Sequence, residues 1–143
     1  MSSSVVETAS VSADAAQKLI AAAVDAAKAE GKAMVIAVVD GGGTLKAFHR
    51  MDGAPLLSVE IAQNKAYTAA GFGMPTHQWH EFIKNDPPLL DGIVHTPRLV
   101  VFGGGYPLYA DGRLVGGIGL SGGHYSDDMR IAEAALAAAG FGQ

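Results

Sequence analysis

The sequence predicts an α+β domain with about five mainly antiparallel strands and helices that cover the sheet. Segments with apolar residues at helical spacing alternate along the chain with short runs rich in valine, isoleucine and leucine. Connections within each group of strands are too short for a crossover helix, so neighbouring strands are expected to form hairpins. We expect one domain over residues 1–143, with 1–11 as a loose N-terminal segment.

A helix followed by two strands is predicted first. Ser12 is a suitable N-cap, and the apolar stripe that follows stops at Gly31, a residue type that commonly ends helices. The run MVIAVVD over 34–40 predicts a buried strand. Three consecutive glycines then turn the chain into a second predicted strand over 44–51.

Two helices and a loop are predicted in the middle of the chain. Ser58 is expected to cap a helix that ends near Gly71. Thr76 is expected to cap a short helix over 75–84. The segment 85–97 carries three prolines and is predicted to be a loop.

Three strands and a helix complete the prediction, with strands over 99–102, 106–110 and 113–120. Asp111-Gly112 between the last two favours a two-residue hairpin turn. Ser126 is expected to cap the final helix, whose acidic first turn suits the positive end of its dipole. The helical spacing predicts an inward face formed by Ile131, Ala134, Ala135 and Ala138.

The segment 103–123 holds nine of the nineteen glycines of the chain. In the strand 113–120, alternation places Gly117 and Gly119 on one face together with Val115 and Ser121. That face is nearly bare of side chains, so something must approach its backbone closely. A helix, a second subunit and a flat ligand are the three occupants that this pattern allows.

Composition limits the classes of partner. Hydrophobic residues make up 49% of the chain and charged residues 17%, which favours a homo-oligomer that buries apolar surface between subunits. The net charge of −4 argues against a nucleic-acid partner. The absence of cysteine excludes disulfides and thiolate ligands. We find neither a signal-peptide pattern nor an apolar run of membrane-spanning length, and therefore expect a cytoplasmic protein without a membrane partner.

Two short motifs resemble ligand-binding signatures. Gly117-Ile-Gly-Leu-Ser-Gly122 matches the dinucleotide pattern G-x-G-x-x-G, but its first glycines lie within a predicted hairpin strand, which is the wrong context. His77 and His80, with Glu81 beside them, could share one helix face and bind a divalent metal. Because the sequence fixes no third ligand, a polar surface with Trp79 packed inward explains this second motif equally simply.

Three cationic or titratable side chains are candidates for binding an acid. His124 precedes a predicted helix N-terminus and could be an acid/base group, an iron ligand or a surface residue. Arg50 could clamp a carboxylate or pair with Asp52 or Asp40. Lys65 lies beside an apolar stripe, where it could extend to solvent or complete an anion pocket with Arg50.

Four stretches together resemble the GlcG/HbpS-type haem-binding family, whose domain also forms the C-terminal part of PduO-type cobalamin adenosyltransferases. These stretches cover 36–54, 58–76, 103–123 and 127–136. The resemblance implies a profilin- or roadblock-like α/β/α fold and assembly into dimers or larger oligomers. It also implies ligand-binding roles for the positions that match the family's motifs, namely Arg50, Lys65, Gly104, Gly105, Ser121, Gly122 and Gly123.

Two functions follow from the residues and the resemblance. In the first, the chain binds haem or another tetrapyrrole on its flat glycine face, His124 or His49 ligates the iron, and Arg50 and Lys65 neutralise the propionates. In the second, it is a catabolic enzyme that needs no cofactor and acts on a small carboxylate-bearing intermediate, for example from aromatic or glycolate degradation. Arg50 and Lys65 would then clamp the acid, and His124 would move a proton. An accessory protein without chemistry is the third alternative.

Overall fold

The computed structural model describes residues 3–142. Within this range the chain forms five α-helices, four strands and two short 3₁₀ turns. The helices are α1 (Ala13–Ala29), α2 (Ser58–Phe72), α3 (Trp79–Ile83), α4 (Pro87–Gly92) and α5 (Tyr125–Ala138). The strands are β1 (Val35–Asp40), β2 (Leu45–Arg50), β3 (Gly105–Ala110) and β4 (Arg113–Ser121). The 3₁₀ turns are Thr76–Gln78 and Ile93–His95.

The four strands form one antiparallel sheet in the order β2-β1-β4-β3. Helices α1 and α5 cover one face, and α2 covers the other, which gives three layers. The larger hydrophobic cluster lies between the sheet and α1 and α5. The smaller one lies under α2 and consists mainly of valine from β1 and alanine from α2. This arrangement confirms the α+β class and the helix-covered antiparallel sheet.

Helix α2 occupies the bare glycine face of β4. A Cβ atom built on Gly119 would overlap the carbonyl oxygen of Ala62 and lie 2.6 Å from the amide nitrogen of Ala66. A Cβ on Gly117 would overlap the carbonyl of Ala66 and lie 3.0 Å from the amide nitrogen of Ala70. The expectation that a flat macrocycle lies on this face is therefore wrong, because the backbone of α2 already fills it.

The predicted fifth strand over 99–102 is not formed in the described part of the chain. The backbone on both sides of Leu99 is bonded to a side chain instead of a neighbouring strand. The hydroxyl of Thr68 donates to the carbonyl of Arg98 over 3.0 Å and accepts from the amide of Val100 over 3.0 Å. These bonds align the segment with α2, so the sheet ends at β3.

The predicted loop over 85–97 contains α4 and the second 3₁₀ turn. Asp86 caps α4 by accepting the amide hydrogen of Leu89, and prolines occupy the first helical positions. Proline fits there because those amides have no partner within the helix and its φ is already helical. The prolines that predicted a loop therefore begin a helix.

Three predicted caps are wrong because these hydroxyl groups bond elsewhere or lie inside the helix. Ser58 lies within the first turn of α2 and accepts a hydrogen bond from Ser121. Thr76 accepts the amide hydrogen of Gly105 over 2.9 Å. His124, and not Ser126, caps α5 through Nδ1, which accepts the amide hydrogen of Ser126.

The inward face of α5 also differs from the prediction. Ile131 and Ala135 are buried as expected, whereas Ala134 and Ala138 are exposed. The buried stripe is formed by Asp128, Ile131, Ala132, Ala135 and Leu136. It begins at a charged residue, which apolar periodicity does not assign to a core.

Several predicted elements are confirmed. Ser12 caps α1 by accepting the amide hydrogen of Ala15, and Gly31 after its end has a φ of +66°. Asp111 and Gly112 have φ values of +52° and +76°, as a tight hairpin turn requires. No helix among residues 3–142 is long and apolar enough to cross a membrane.

The segment 1–11 was expected to be loose, but its C-terminal end packs against the domain. Val11 is buried and donates its amide hydrogen to the carbonyl of Val115, while the hydroxyl of Ser10 accepts from the amide of Gly41. Residues 1 and 2 of that segment lie outside the described residues.

We predict that Gly119→Ala lowers the free energy of unfolding by about 3 kcal/mol, because a methyl group there must push the backbone of α2 away from the sheet. The matched control is Gly71→Ala in α2, where an added Cβ meets no atom within 4 Å. That change should raise the free energy of unfolding by up to about 1 kcal/mol through helix propensity. Urea denaturation measures both, and equal effects would contradict the packing of α2 on β4.

Candidate functional site

An open cleft of about 490 Å³ lies between α3, the segment before β3 and the start of α5. We call it the aromatic cleft. Its lining residues are His77, His80, Glu81, Val101, Phe102, Gly103 and Tyr125. Its volume is in the range of small-molecule sites. The cleft brings together the two histidines predicted as metal ligands, but neither Arg50 nor His49 lines it.

The histidine wall of the cleft is anchored by two buried side chains. Thr76 bonds to β3, as described above, and Trp79 is buried with its ring edge-to-face against Phe72 at 4.9 Å. Between these anchors, Nδ1 of His77 is buried and has no hydrogen-bond partner among the described residues. A buried polar atom without a partner is unfavourable unless a ligand or water satisfies it. Nε1 of Trp79 is likewise buried without a hydrogen-bond partner among the described residues.

The opposite wall is aromatic. The rings of Phe102 and Tyr125 lie 6.4 Å apart, and the imidazole of His124 packs against Tyr125 at 4.1 Å. Because Nδ1 of His124 accepts the amide hydrogen that caps α5, only Nε2 of this histidine is left to act as a base or metal ligand. His124 contacts Tyr125 but does not itself line the aromatic cleft, so it lies at the rim of the cleft.

A buried ion pair lies directly behind this wall. Nζ of Lys65 donates to Oδ2 of Asp128 over 2.7 Å and to the carbonyl of Leu120 over 2.8 Å. The two charged side chains are 1% and 2% exposed. Nζ is also 5.2 Å from the centroid of the Phe102 ring. Lys65 therefore neither extends to solvent nor forms a pocket with Arg50, since Asp128 already neutralises its charge.

Burial shifts both titrations of this pair in the direction of the neutral forms. Loss of hydration lowers the pKa of Lys65, and the nearby carboxylate partly opposes the shift. Burial likewise raises the pKa of Asp128, against the effects of Lys65 and of the amide of Gly123. The 2.7 Å contact still favours the charged pair, since each ion is the other's main compensation.

The glycines expected to bind a ligand have partners within the chain. Gly104 has a φ of +122°, and a Cβ there would lie 2.6 Å from Nζ of Lys65. A Cβ on Gly105 would lie 2.5 Å from the carbonyl oxygen of Lys65. The amide of Gly123 donates to Oδ1 of Asp128 over 3.2 Å, so it is not directed to an external acid. The contacts of Gly104 and Gly105 explain why these two positions lack side chains.

The remaining predicted site residues lie around the same end of the sheet. Ser121 is buried and donates to Ser58 over 3.0 Å, and Gly122 packs against Met34. Arg50 donates to the carbonyl of Ala54 over 3.0 Å and so holds the loop after β2. His49 is exposed on β2, an edge strand. The structure therefore does not assemble these residues into one pocket.

Metal binding by His77 and His80 gains no third ligand from the fold. Among residues 3–142, no group of three or more His, Asp or Glu side chains is arranged to hold a metal ion. Glu81 lines the aromatic cleft, but it pairs with Lys84 over 2.7 Å.

The family model described as "Haem degrading protein HbpS-like" matches residues 11–137. The chain belongs to the HbpS-like family. This confirms the resemblance identified from the sequence motifs, which cover the same part of the chain.

Among curated relatives, the HbpS-like chain is 39% identical over 126 residues to the corrinoid adenosyltransferase PduO of Salmonella typhimurium. The match covers 87% of this chain but only 38% of PduO, so the chain spans well under half of that enzyme. It is also 35% identical over 106 residues to the protein GlcG of Escherichia coli, covering 74% of this chain and 77% of GlcG.

Solved structures agree with this assignment. A structure described as the PduOC:Heme complex is 37% identical, with a TM-score of 0.83 over 94% of this chain and 99% of that one. The structure of HbpS is 32% identical, with a TM-score of 0.85 over 96% of each chain. The four-stranded HbpS-like fold is therefore shared with a protein that has been crystallised with haem.

The sequence did not identify Asp128 as the partner of Lys65 or Phe102 as a lining residue of the aromatic cleft. A signal for Asp128 was present, because a lysine beside an apolar stripe needs a carboxylate if it is buried. Phe102 was assigned to a strand that does not form, so its neighbours in the cleft were not predicted.

We predict that Asp128→Ala lowers the free energy of unfolding by about 3–5 kcal/mol, because it leaves Lys65 buried without a counter-charge. Asp127→Ala is the matched control, since this neighbouring carboxylate is more exposed and pairs at the surface. The double variant Lys65→Met/Asp128→Leu should recover most of the loss. Urea denaturation measures these values, and an equal loss in Asp127→Ala would contradict the assignment.

The Asp128→Ala variant should also regain stability as the pH rises. The pKa of Lys65 in the folded state is then further below its ordinary value of 10.5, so the folded protein releases this proton first. At pH values between the pKa of Lys65 in the folded state and its pKa in the unfolded state, the unfolded state binds more protons, so the stability of the variant increases with pH. If the difference in the free energy of unfolding between the variant and the wild type did not change between pH 7 and 10, this result would contradict a buried, unpaired lysine.

Proposed function

We propose that this HbpS-like chain binds haem in the aromatic cleft. The observation that carries the proposal is a cleft that combines two histidine side chains, His77 and His80, with the aromatic side chains of Phe102 and Tyr125. Imidazole is a common ligand of haem iron, and aromatic rings provide apolar contacts to a macrocycle. The similarity to the PduOC:Heme structure supports the same ligand.

The residues of the cleft fit this group in their chemistry. His77 or His80 would ligate the iron, and Phe102 and Tyr125 would contact the porphyrin and exclude water from it. Haem bound there would supply iron-centred redox or oxygen chemistry.

We predict that the wild-type protein binds haem with a saturating change in the Soret band, and that His77→Ala weakens binding at least about tenfold. His80→Ala distinguishes a second ligand on the same wall. His124→Ala and His49→Ala test the two ligands proposed from the sequence. We expect both to bind haem like the wild type, because neither residue lines the cleft.

Two outcomes of the haem titration would contradict the proposal. Loss of the Soret change in His124→Ala or His49→Ala, with His77→Ala unaffected, would reassign the ligand and contradict the aromatic cleft as the site. Circular dichroism of each variant checks that the fold is retained. A wild-type protein that does not saturate with haem would contradict the proposed function.

The alternative of a catabolic enzyme receives less support in its original form. The clamp of Arg50 and Lys65 is not formed, since Asp128 neutralises Lys65 and Arg50 bonds to the loop at Ala54. Proton transfer by His124 would have to use Nε2, because Nδ1 accepts the capping hydrogen bond. An enzyme of this kind would require a different cation to bind the acid.

We also propose that the chain forms a homo-oligomer. Leu56 and Leu57, just before α2, are 71% and 74% exposed, and Phe72 and Phe82 are more than 60% exposed. Large apolar side chains at such exposure commonly mark protein interfaces.

Sedimentation equilibrium should give a mass that is a multiple of the 14.6 kDa chain. Leu56→Glu/Leu57→Glu should reduce that mass, because charge at these positions opposes burial of the leucines. Ala134→Glu on the exposed face of α5 is the control and should leave the mass unchanged. A monomeric wild type would contradict self-association.

A further inference from the structure

A second open cleft, of about 700 Å³, lies beside α2 and shares no lining residue with the aromatic cleft. We call it the arginine cleft. It is bounded by the turn between β1 and β2, by the polar side of α2, and by Arg98. The polar side chains that line it include Thr44, Glu60 and Asn64.

The backbone of Arg98 is held in an unusual conformation. The amide of Leu99 donates to the carbonyl of Thr96, and Pro97 and Arg98 form the centre of this turn. Arg98 has a φ of +68°, at the position where a turn of this kind normally carries glycine. The buried hydroxyl of Thr68 fixes the carbonyl of Arg98 over 3.0 Å. The chain thus places a strained arginine where glycine would be favoured, which points to a role for its side chain.

The side chain of Arg98 is also held in place. Its guanidinium carbon lies 3.7 Å from the ring centroid of Tyr67, and Nε donates to Oδ1 of Asn64 over 3.2 Å. Among the ion pairs of residues 3–142, none includes Arg98. The stack and the Nε bond leave the two Nη groups for other partners. A planar guanidinium held in this way is preorganised for a carboxylate, which accepts two parallel hydrogen bonds.

We propose that the arginine cleft binds a small organic acid through its carboxylate, with Arg98 as the binding cation. Glu60 lines the same cleft and repels a second carboxylate, whereas it accepts a hydrogen bond from a hydroxyl or amino group. The ligand class is therefore a small monocarboxylate that carries such a donor. The two clefts have no lining residue in common, so a ligand in the arginine cleft does not compete with haem for the same side chains.

The test is an NMR titration of the ¹⁵N-labelled protein with lactate, propionate, succinate and inorganic phosphate. Lactate should bind more tightly than propionate and succinate, and it should shift the side-chain amide signal of Asn64. Arg98→Gly should weaken lactate binding at least about tenfold, because it removes a charge-assisted bidentate contact. It should not unfold the protein, since glycine relieves the positive φ.

Two further variants serve as a control for Arg98 and as a test of the role of Glu60. Arg113→Gln changes an exposed arginine outside the cleft and should bind lactate like the wild type. Glu60→Gln should strengthen the binding of succinate relative to that of lactate, because it removes the negative charge that repels a second carboxylate. Equal lactate binding in Arg98→Gly and the wild type would overturn the proposal, and so would the absence of lactate-dependent shifts in the wild type. Preference for phosphate over every carboxylate would overturn the ligand class.

Discussion

The structure depends on the direct contact between the backbone of α2 and the backbone of β4. Gly117 and Gly119 permit this approach, because any side chain at either position would collide with the carbonyl groups of α2. The alanines on the facing side of α2 keep the two surfaces close, so this layer has a core with few bulky side chains. The helix that is fixed in this way provides Lys65 of the buried ion pair, the hydroxyl of Thr68 that bonds to the segment 98–100, and the polar side of the arginine cleft.

The burial of Lys65 follows from that contact. Once α2 lies on the sheet, the side chain of Lys65 has no path to solvent and must be neutralised by a nearby carboxylate. Asp128 provides it from the first turn of α5, where the helix dipole also favours a negative charge. A buried pair contributes little net stability compared with apolar residues, but it strongly penalises any arrangement that separates the partners. It therefore fixes α5, and with it Tyr125 on the wall of the aromatic cleft.

Local signals predicted α1, the hairpin turn at Asp111-Gly112 and the approximate positions of all four strands, because these features depend on short-range patterning and backbone preference. The failures share a different origin. Residues 99–102 have the composition of a strand, yet their amide and carbonyl groups are bonded by Thr68, which is distant in sequence. The inward stripe of α5 was misplaced since it includes Asp128, and its charge is tolerated only beside Lys65. Only His77 and His80 of the aromatic cleft were candidates from the sequence, because they lie in one short segment. The opposite wall could not be predicted, since its residues meet them through tertiary contacts that no single segment contains.

One helix can hold both the buried ion pair and the side chain of Arg98 because of its periodicity. Lys65 and Thr68 are three residues apart and share one side of α2, where they reach Asp128 and the segment after Arg98. Asn64 and Tyr67 have the same spacing but are displaced by one residue, which rotates them by about 100° toward the arginine cleft. The bare glycine face of β4 fixes the rotation of α2 about its axis. The pair Lys65 and Thr68 and the pair Asn64 and Tyr67 therefore keep their orientations relative to each other. A deletion of one residue near the start of α2 would therefore turn all four side chains by about 100° about the helix axis, leaving Lys65 without Asp128 and Arg98 without its two supports.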